Sequence, residues 1–431
     1  MLGVGIDWAE QFHLVALGSP GDGVGEVFRV EHTAPAVRGL IARLGVLEPD
    51  PAEVRVVIET SHGMLVEALV DAGYVVLPVN PDLIARRRGP ARKNDDAEDA
   101  RIACLLALDR FTTLRPLLPH GPVAAELRAI ARDDERANRD ERRLLNRLRA
   151  DLIATFPAAL IIAGDDLGAP TFLRLIQTWP TAAALLSATR EEIEQLARAG
   201  RHGWPHRVAD RVAHALSSND VFTAPEHLVR AKADTIRLTA LQLLAIGAQR
   251  RTWEKRMGQL LLGAPRRGRA RQPDPGPEGG GPRPNGFPGG EIYLSFAGLG
   301  DRLAARVAGE IGDHINYFTS PNALQCYAGK APVTRRSGKS EFVVAHRLAC
   351  NRHLRDAVQQ WAFCSLNSSG WAREFYNSHR TRGKTHHATL RALGNRWLEV
   401  LWHCLIKGVL YDEAVHTANR NRARAPKPAV A

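Results

Sequence analysis

Nowhere in its 431 residues does the chain offer an apolar run near the roughly 20 residues that a membrane-spanning helix needs. The opening MLGVGIDWAEQ has neither the basic flank nor the long apolar core of a signal peptide, so the expected compartment is the cytoplasm. Cysteine is scarce. The five present (Cys104, Cys326, Cys350, Cys364 and Cys404) are odd in number and form no CxxC pair, which argues against a disulfide framework and a zinc site alike. Negative charge is also in short supply: 46 Asp and Glu face 58 Lys and Arg, a formal charge of +12. An excess of that size serves a polyanion, either nucleic acid or an anionic membrane face.

What is there suffices for several folded units, since 431 residues with 45% hydrophobic content exceed the usual single domain. Residues 4–8 and 12–17 are apolar and β-prone, and the Gly-rich stretch 18–25 turns the chain into residues 26–32, which predicts strands joined by a hairpin. A helical period over 36–44 follows; the apolar runs 54–58 and 74–78 then flank a helix at 64–72. The expectation is an α/β domain with a mixed sheet over residues 1–120. Over 122–156 and 191–262, charged residues alternate with apolar ones at three-to-four spacing, so 121–262 reads as long helices packed as a coiled coil. Residues 263–290 hold seven prolines and nine glycines, a composition that predicts a disordered linker. Helical periodicity resumes over 291–411 in a mainly α domain ending near 415, and 416–431 is a basic, fraying tail.

Three acidic positions stand out. Asp7 lies inside the apolar strand GVGIDWA, where a charge is costly unless a cation or hydrogen-bond partner neutralises it. Glu59 repeats the situation at the end of VRVVIET, and adjacent strands would bring the two together. KNDDAEDARIACLLA then supplies Asp95, Asp96, Glu98 and Asp99 ahead of an apolar helical run, with Asp96 and Asp99 on one helix face. About four such carboxylates hold two Mg²⁺ ions in phosphoryl-transfer sites, which need hard oxygen ligands. Each acid also has an ordinary explanation: the cluster as favourable first-turn charge, Asp7 as a strand-edge residue, Glu59 as a cap on the following helix. Their joint occurrence in one α/β domain of a basic protein favours the metal site.

In the C-terminal region, LSFAGLGDRLAARVAGEIGD places Gly298 and Gly300 in a turn between apolar segments. The pattern is that of a helix-hairpin-helix gripping a DNA phosphate through backbone N–H groups, or equally of a plain glycine-capped helix connection. YAGKAPVTRRSGK sets Ser337 between Arg335 and Arg336 on one side and Gly338 and Lys339 on the other. A hydroxyl among cations suits attack on phosphate, with Gly338 allowing close approach of the backbone; the same composition also makes an ordinary surface turn. The basic and aromatic stretch WAREFYNSHRTRGKTHH suits phosphate contacts and base stacking or an amphipathic helix, and His386 with His387 makes no convincing metal site.

GIDWAEQFH, VVIETSHG, KNDDAEDARIA, LSFAGLG, AARVAGEIGD, YAGKAPVTRRSGK and NRHLRDAV through RGKTHHATLRALGNRWL, taken in that order, resemble the DEDD transposases of bacterial insertion sequences, the family that includes the Piv and MooV invertases. The resemblance covers nearly the whole chain outside 263–290. It implies an N-terminal RuvC-like ribonuclease-H fold, a helical coiled-coil segment and a C-terminal transposase domain. It implies Mg²⁺ held by Asp7, Glu59, Asp96 and Asp99, and Ser337 as the nucleophile. It further implies DNA as substrate, a structured guide RNA, a homo-oligomer whose two domains meet across subunits, and a bacterial cytoplasmic setting. The pattern fits KNDDAEDA imperfectly: counting from Lys93 selects Asp95, whereas counting back from Asp99 selects Asp96, the choice helix geometry favours. The long Pro/Gly/Arg stretch is a second departure. Two other readings stand beside this one, a RuvC-like junction nuclease that cuts with metal-activated water and a non-catalytic DNA-binding protein from a decayed element. A kinase or ATPase of related fold is disfavoured, because no Gly-rich phosphate loop follows the strands.

Overall fold

The computed structural model describes residues 1–61, 63–88, 96–109, 114–117, 120–217, 224–263, 286–337, 340–344 and 350–424, in two compact units, Met1–Pro119 and His120–Ala431. In the first unit the strands are β1 (Leu2–Asp7), β2 (Phe12–Ser19), β3 (Gly23–Glu31), β4 (Val54–Ile58) and β5 (Val75–Pro78). They form one mixed sheet in the order β3-β2-β1-β4-β5, antiparallel across β3, β2 and β1 and parallel across β1, β4 and β5. This agrees with the α/β expectation and is consistent with a RuvC-like domain. The helices are α1 (Ala34–Leu47), α2 (Met64–Asp71), α3 (Pro81–Arg88) and α4 (Asp96–Leu108). One apolar face of the sheet buries Val4, Ile6, Val56 and Ile58 with Leu40, Leu44 and Leu69 of α1 and α2.

The other face receives α4, and glycine makes that possible. A Cβ on Gly5 would lie 2.0 Å from the Ala100 carbonyl oxygen and 2.2 Å from the Cys104 amide nitrogen. One on Gly3 would strike Leu108 at 2.6 Å. The absence of side chains at Gly3 and Gly5 therefore lets the α4 backbone descend onto the strand, carrying its first turn to the strand's carboxyl end.

In the second unit α5 (Pro122–Thr155) and α11 (Glu226–Leu262) are long helices packed on one another. Between them come α6 (Ala158–Ala163), α7 (Pro170–Thr178), α8 (Ala182–Leu186), α9 (Arg190–Ala199) and α10 (Pro205–Ser217). The helices expected over 191–262 are three, α9, α10 and α11, of which only α11 is long. α9 ends at the Gly200 cap and α10 starts at Pro205 after RHGW, while α11 starts behind Pro225, because glycine closes a helix and proline opens one. The long pair joins two cores: Leu148, Leu152, Ala240 and Leu243 lie in one with α6–α10, and Leu127, Ala131, Met257 and Leu261 in the other.

That other core is completed by α12 (Gly290–Ser295), α13 (Asp301–Ile311), α14 (Pro321–Tyr327), α15 (Arg352–Ser365), α16 (Gly370–Thr381) and α17 (His386–Lys407). Trp361 and Trp397 stack at its centre, ring centroids 5.3 Å apart. The region expected to be mainly helical also contains a two-stranded ribbon, β6 (Val333–Ser337) with β7 (Ser340–Val344). Two boundaries move. Residues 264–285 of the expected linker lie outside the described residues, but its C-terminal end is ordered: Phe287 is 3% exposed and its N–H donates to the Leu260 carbonyl at 2.8 Å. The expected tail instead begins as a helix, α18 (Glu413–Arg424), because Glu413 accepts from Gly370 N–H at 2.8 Å and His416 packs on Trp371. No helix among the described residues is long and apolar enough to cross a membrane.

Candidate active site

The carboxylates meet at the carboxyl end of the sheet in the first unit. Asp7 ends β1; Ile6 pairs with Ile58 of β4, and Glu59 follows directly, so the parallel register sets the two acids side by side. Asp96 and Asp99 occupy the first turn of α4, where acidic groups are favoured by the helix N-terminus. Asp7, Glu59 and Asp99 are partly buried, while Asp96 is exposed. Asp95 lies outside the described residues. All four acids named from the sequence lie toward this end of the sheet, and the α4 landing that Gly3 and Gly5 permit is what carries Asp96 and Asp99 there.

Burial first, and then mutual repulsion, favours the protonated forms of Asp7 and Glu59. Burial, reinforced by Asp96, Glu59 and Asp99 and opposed by Arg88, pushes the Asp7 carboxyl up to about 7. Burial and Asp99, again opposed by Arg88, raise Glu59. Arg88, at the end of α3, was not singled out from the sequence. Its Nε donates to Asp99 Oδ1 at 2.8 Å and its Nη2 to Asp99 Oδ2, a fork that meets both carboxylate oxygens. Only the basic run Arg86–Arg88 of the sequence could have signalled it.

Among the described residues no three His, Cys, Asp or Glu side chains stand close enough to hold one ion. The donor set nevertheless fits a hard divalent cation. It is all oxygen, and burial, followed by the neighbouring acids, drives Asp7 toward its protonated form.

Two histidines also went unnoticed. His13 of β2 is fully buried; its ring meets His32 Nδ1 at 2.9 Å, and Ala9 N–H donates to its Nδ1 at 3.4 Å. Burial, then the neighbouring His32, pushes it down to about 4, so it is neutral at physiological pH. The signal available in GIDWAEQFH was a histidine at a strand position.

The second unit carries the remaining named residues. Ser337 ends β6 opposite Ser340, with Arg335 opposite Phe342 and Arg336 opposite Glu341; Gly338 and Lys339 lie outside the described residues. The segment bearing this ribbon is closed at its base. Asn351 N–H donates to the Tyr327 carbonyl at 2.8 Å, and its side-chain amide donates to Glu310 Oε2 at 2.8 Å. Glu310, 3% exposed, takes the Arg132 fork at 2.7 and 3.0 Å. Gly298 (φ +82°) and Gly300 connect α12 to α13. A Cβ on Gly298 would lie 2.6 Å from the Ser365 amide nitrogen, so packing on α15 demands glycine there; Gly300, at the N-terminus of α13, faces open space.

Comparison with known proteins agrees with these motifs. A family model of the DEDD IS110 type, described as Transposase, matches residues 4–157. Another, described as Transposase IS116/IS110/IS902 family, matches residues 290–377. The mini-circle putative transposase for IS117 of Streptomyces coelicolor is 32% identical over 420 residues, 95% of each chain. The putative transposase y4uE of Sinorhizobium fredii is 35% identical over 238 residues, 52% of this chain and 65% of its own length. The insertion element IS110 uncharacterized 43.6 kDa protein of S. coelicolor is 27% identical over 345 residues, 79% and 78% of the two chains.

Proposed function

Because the chain belongs to the IS116/IS110/IS902 family of insertion-sequence transposases, enzymes that cut and rejoin DNA, we propose that Asp7, Glu59, Asp96 and Asp99 hold Mg²⁺ and that Ser337 is the nucleophile. The observation that carries the metal half is the convergence of these acids, with the Asp7 carboxyl pushed up to about 7 among them. Bound there, the cation would polarise the scissile phosphate and offset its charge. The Ser337 oxygen forms a bond to phosphorus while the bond to one deoxyribose oxygen breaks, and the serine proton ends on that departing oxygen. A hydroxyl of a second strand later displaces the serine, so the phosphodiester energy is kept for rejoining. Arg335, Arg336 and Lys339 neutralise the non-bridging oxygens, Gly338 admits the backbone, and the Gly298–Gly300 turn with its open α13 terminus takes a further DNA phosphate. A structured guide RNA that selects the DNA partners and a homo-oligomeric assembly in the bacterial cytoplasm complete the reading.

The test incubates the protein with Mg²⁺, labelled element-end DNA and a transcript of the flanking non-coding DNA, and looks for a denaturant-resistant protein–DNA adduct. An adduct formed by wild type and lost in both Ser337→Ala and Asp7→Ala is the expected result. Metal-dependent cutting that survives Ser337→Ala would replace the serine by water.

A further inference from the structure

We propose that the turn between α9 and α10 is a landing site for unpaired nucleotides of a nucleic-acid strand, with Trp204 stacking on a base and Arg174, Arg201 and Arg207 meeting the flanking phosphates. Trp204 is the most exposed tryptophan of the chain, at 57%. Neither the core that α6–α10 share with α5 and α11 nor the partly buried residues packed on that core include it. Burial of apolar surface therefore does not account for an indole at this turn. The guanidinium of Arg207 lies 4.8 Å from the centre of the indole, and the His206 ring stands edge-on to it at 6.3 Å and 85°. A cation over one face holds the ring while more than half of the residue stays accessible.

The backbone fixes the turn that presents it. Arg201 N–H donates to the Arg198 carbonyl at 2.8 Å and His202 N–H to the Ala197 carbonyl at 2.9 Å, closing the end of α9, and Trp204 N–H donates to His202 Nδ1 at 3.2 Å. In this closure Arg201 takes φ +57°, the one left-handed value outside glycine among the described residues. Glycine fills such a position at less cost, so an arginine there points to a use for its side chain. A third cation reaches the same turn from α7: a Cβ on Gly200 would lie 3.2 Å from Arg174 Nη1. Residues 198–207 contain no Asp or Glu, and Arg198 is taken by Glu194 at 2.7 Å. Arg174, Arg201 and Arg207 are left without a carboxylate partner among the described residues. An accessible indole that any base can cover, set among guanidiniums whose charge is not offset, suits a single strand of any sequence. A duplex hides its base faces, so the site selects unpaired nucleotides.

The experiment uses the full chain in EDTA, which takes metal-dependent chemistry out of the measurement, with short oligo(A) and oligo(dA) strands carrying a central 2-aminopurine. Wild type should quench the probe. Trp204→Ala should remove that quenching and weaken binding about 5- to 150-fold, whereas Trp204→Phe should keep most of the affinity. Arg201→Gly should raise the thermal midpoint, because glycine suits that backbone, yet weaken binding and reduce the slope of log affinity against log salt by about 0.7. A purely structural turn would give the first of these effects without the other two. The loss caused by Trp204→Ala, compared between the RNA and DNA probes, identifies which strand the site serves. Unchanged quenching and affinity in Trp204→Ala would overturn the proposal. So would an equal loss of affinity for a blunt DNA duplex, or an unchanged salt slope in Arg201→Gly. Asp7→Ala and Ser337→Ala should quench like wild type, so the landing site and the proposed chemistry stand or fall separately.

Discussion

Replacing Asp7 by Asn should make the metal-free first unit more stable while removing its activity. The Asp7 carboxyl binds its proton more tightly in the fold than in the unfolded chain, because it is partly buried among three other acids. The fold therefore loses stability as pH rises from about 4 to about 7 and carries the whole penalty above that. A rise from the ordinary 3.8 to about 7 corresponds to ~4 kcal/mol at ~1.36 kcal/mol per pH unit. Because the carboxyl is partly accessible, solvent screening reduces this to ~1–2 kcal/mol. Asparagine keeps the shape and removes the charge. Amide hydrogen exchange of β1 and α4, measured at pH 8 in EDTA, should then slow by about 5- to 30-fold relative to wild type, and the difference should shrink by pH 4. Adding Mg²⁺ should slow exchange in wild type and much less in Asp7→Asn, since a cation relieves the same repulsion that the substitution does. Faster exchange in Asp7→Asn at pH 8, or equal protection of both proteins by Mg²⁺, would refute the argument that this cluster is a charge-strained cation site.

Two further outcomes follow from the same geometry. Arg88→Gln releases Asp99 from its fork, so the Mg²⁺ concentration giving half-maximal protection of α4 should fall several-fold, by titration followed through hydrogen exchange; a rise would mean that Arg88 supports the cation instead of competing with it. Gly5→Ala places a methyl group against α4 backbone atoms that cannot yield, which should cost ~3 kcal/mol by urea denaturation and abolish DNA cleavage; a neutral effect would show that α4 does not rest on β1 as described.

Much of the first unit was legible because its strands announce themselves. The runs 54–58 and 74–78 and the hairpin after the first strand rest on local alternation and Gly-rich turns, signals that a single chain carries on its own. Asp7 and Glu59 stand out in the sequence for a related reason: a carboxylate inside or at the end of an apolar run violates the local pattern, whereas Asp96 and Asp99 were singled out by the family resemblance. How α4 reaches the sheet was not legible, since it depends on α4 crossing β1 at Gly5, and a glycine in a strand says only that something approaches closely. Arg88 was hidden in a run of three arginines, and nothing local distinguishes the one that turns toward Asp99.

The second unit shows the converse limit. Helical periodicity over 191–262 is real in each piece, but GRHGWP separates α9 from α10 and Pro225 marks the start of α11, where the average pattern reads through. The ribbon around Ser337 was missed because TRRS and SEFVV are short and flanked by glycine and charge, so only pairing between them stabilises either strand. That pairing needs a fixed base. Asn351 supplies it by joining the Tyr327 carbonyl to the buried Glu310, and Glu310 is tolerable in the core only because Arg132 meets both of its oxygens. The residues that present the serine-bearing ribbon are therefore up to about 200 positions away in sequence, and no local reading of RRSGK could have named them.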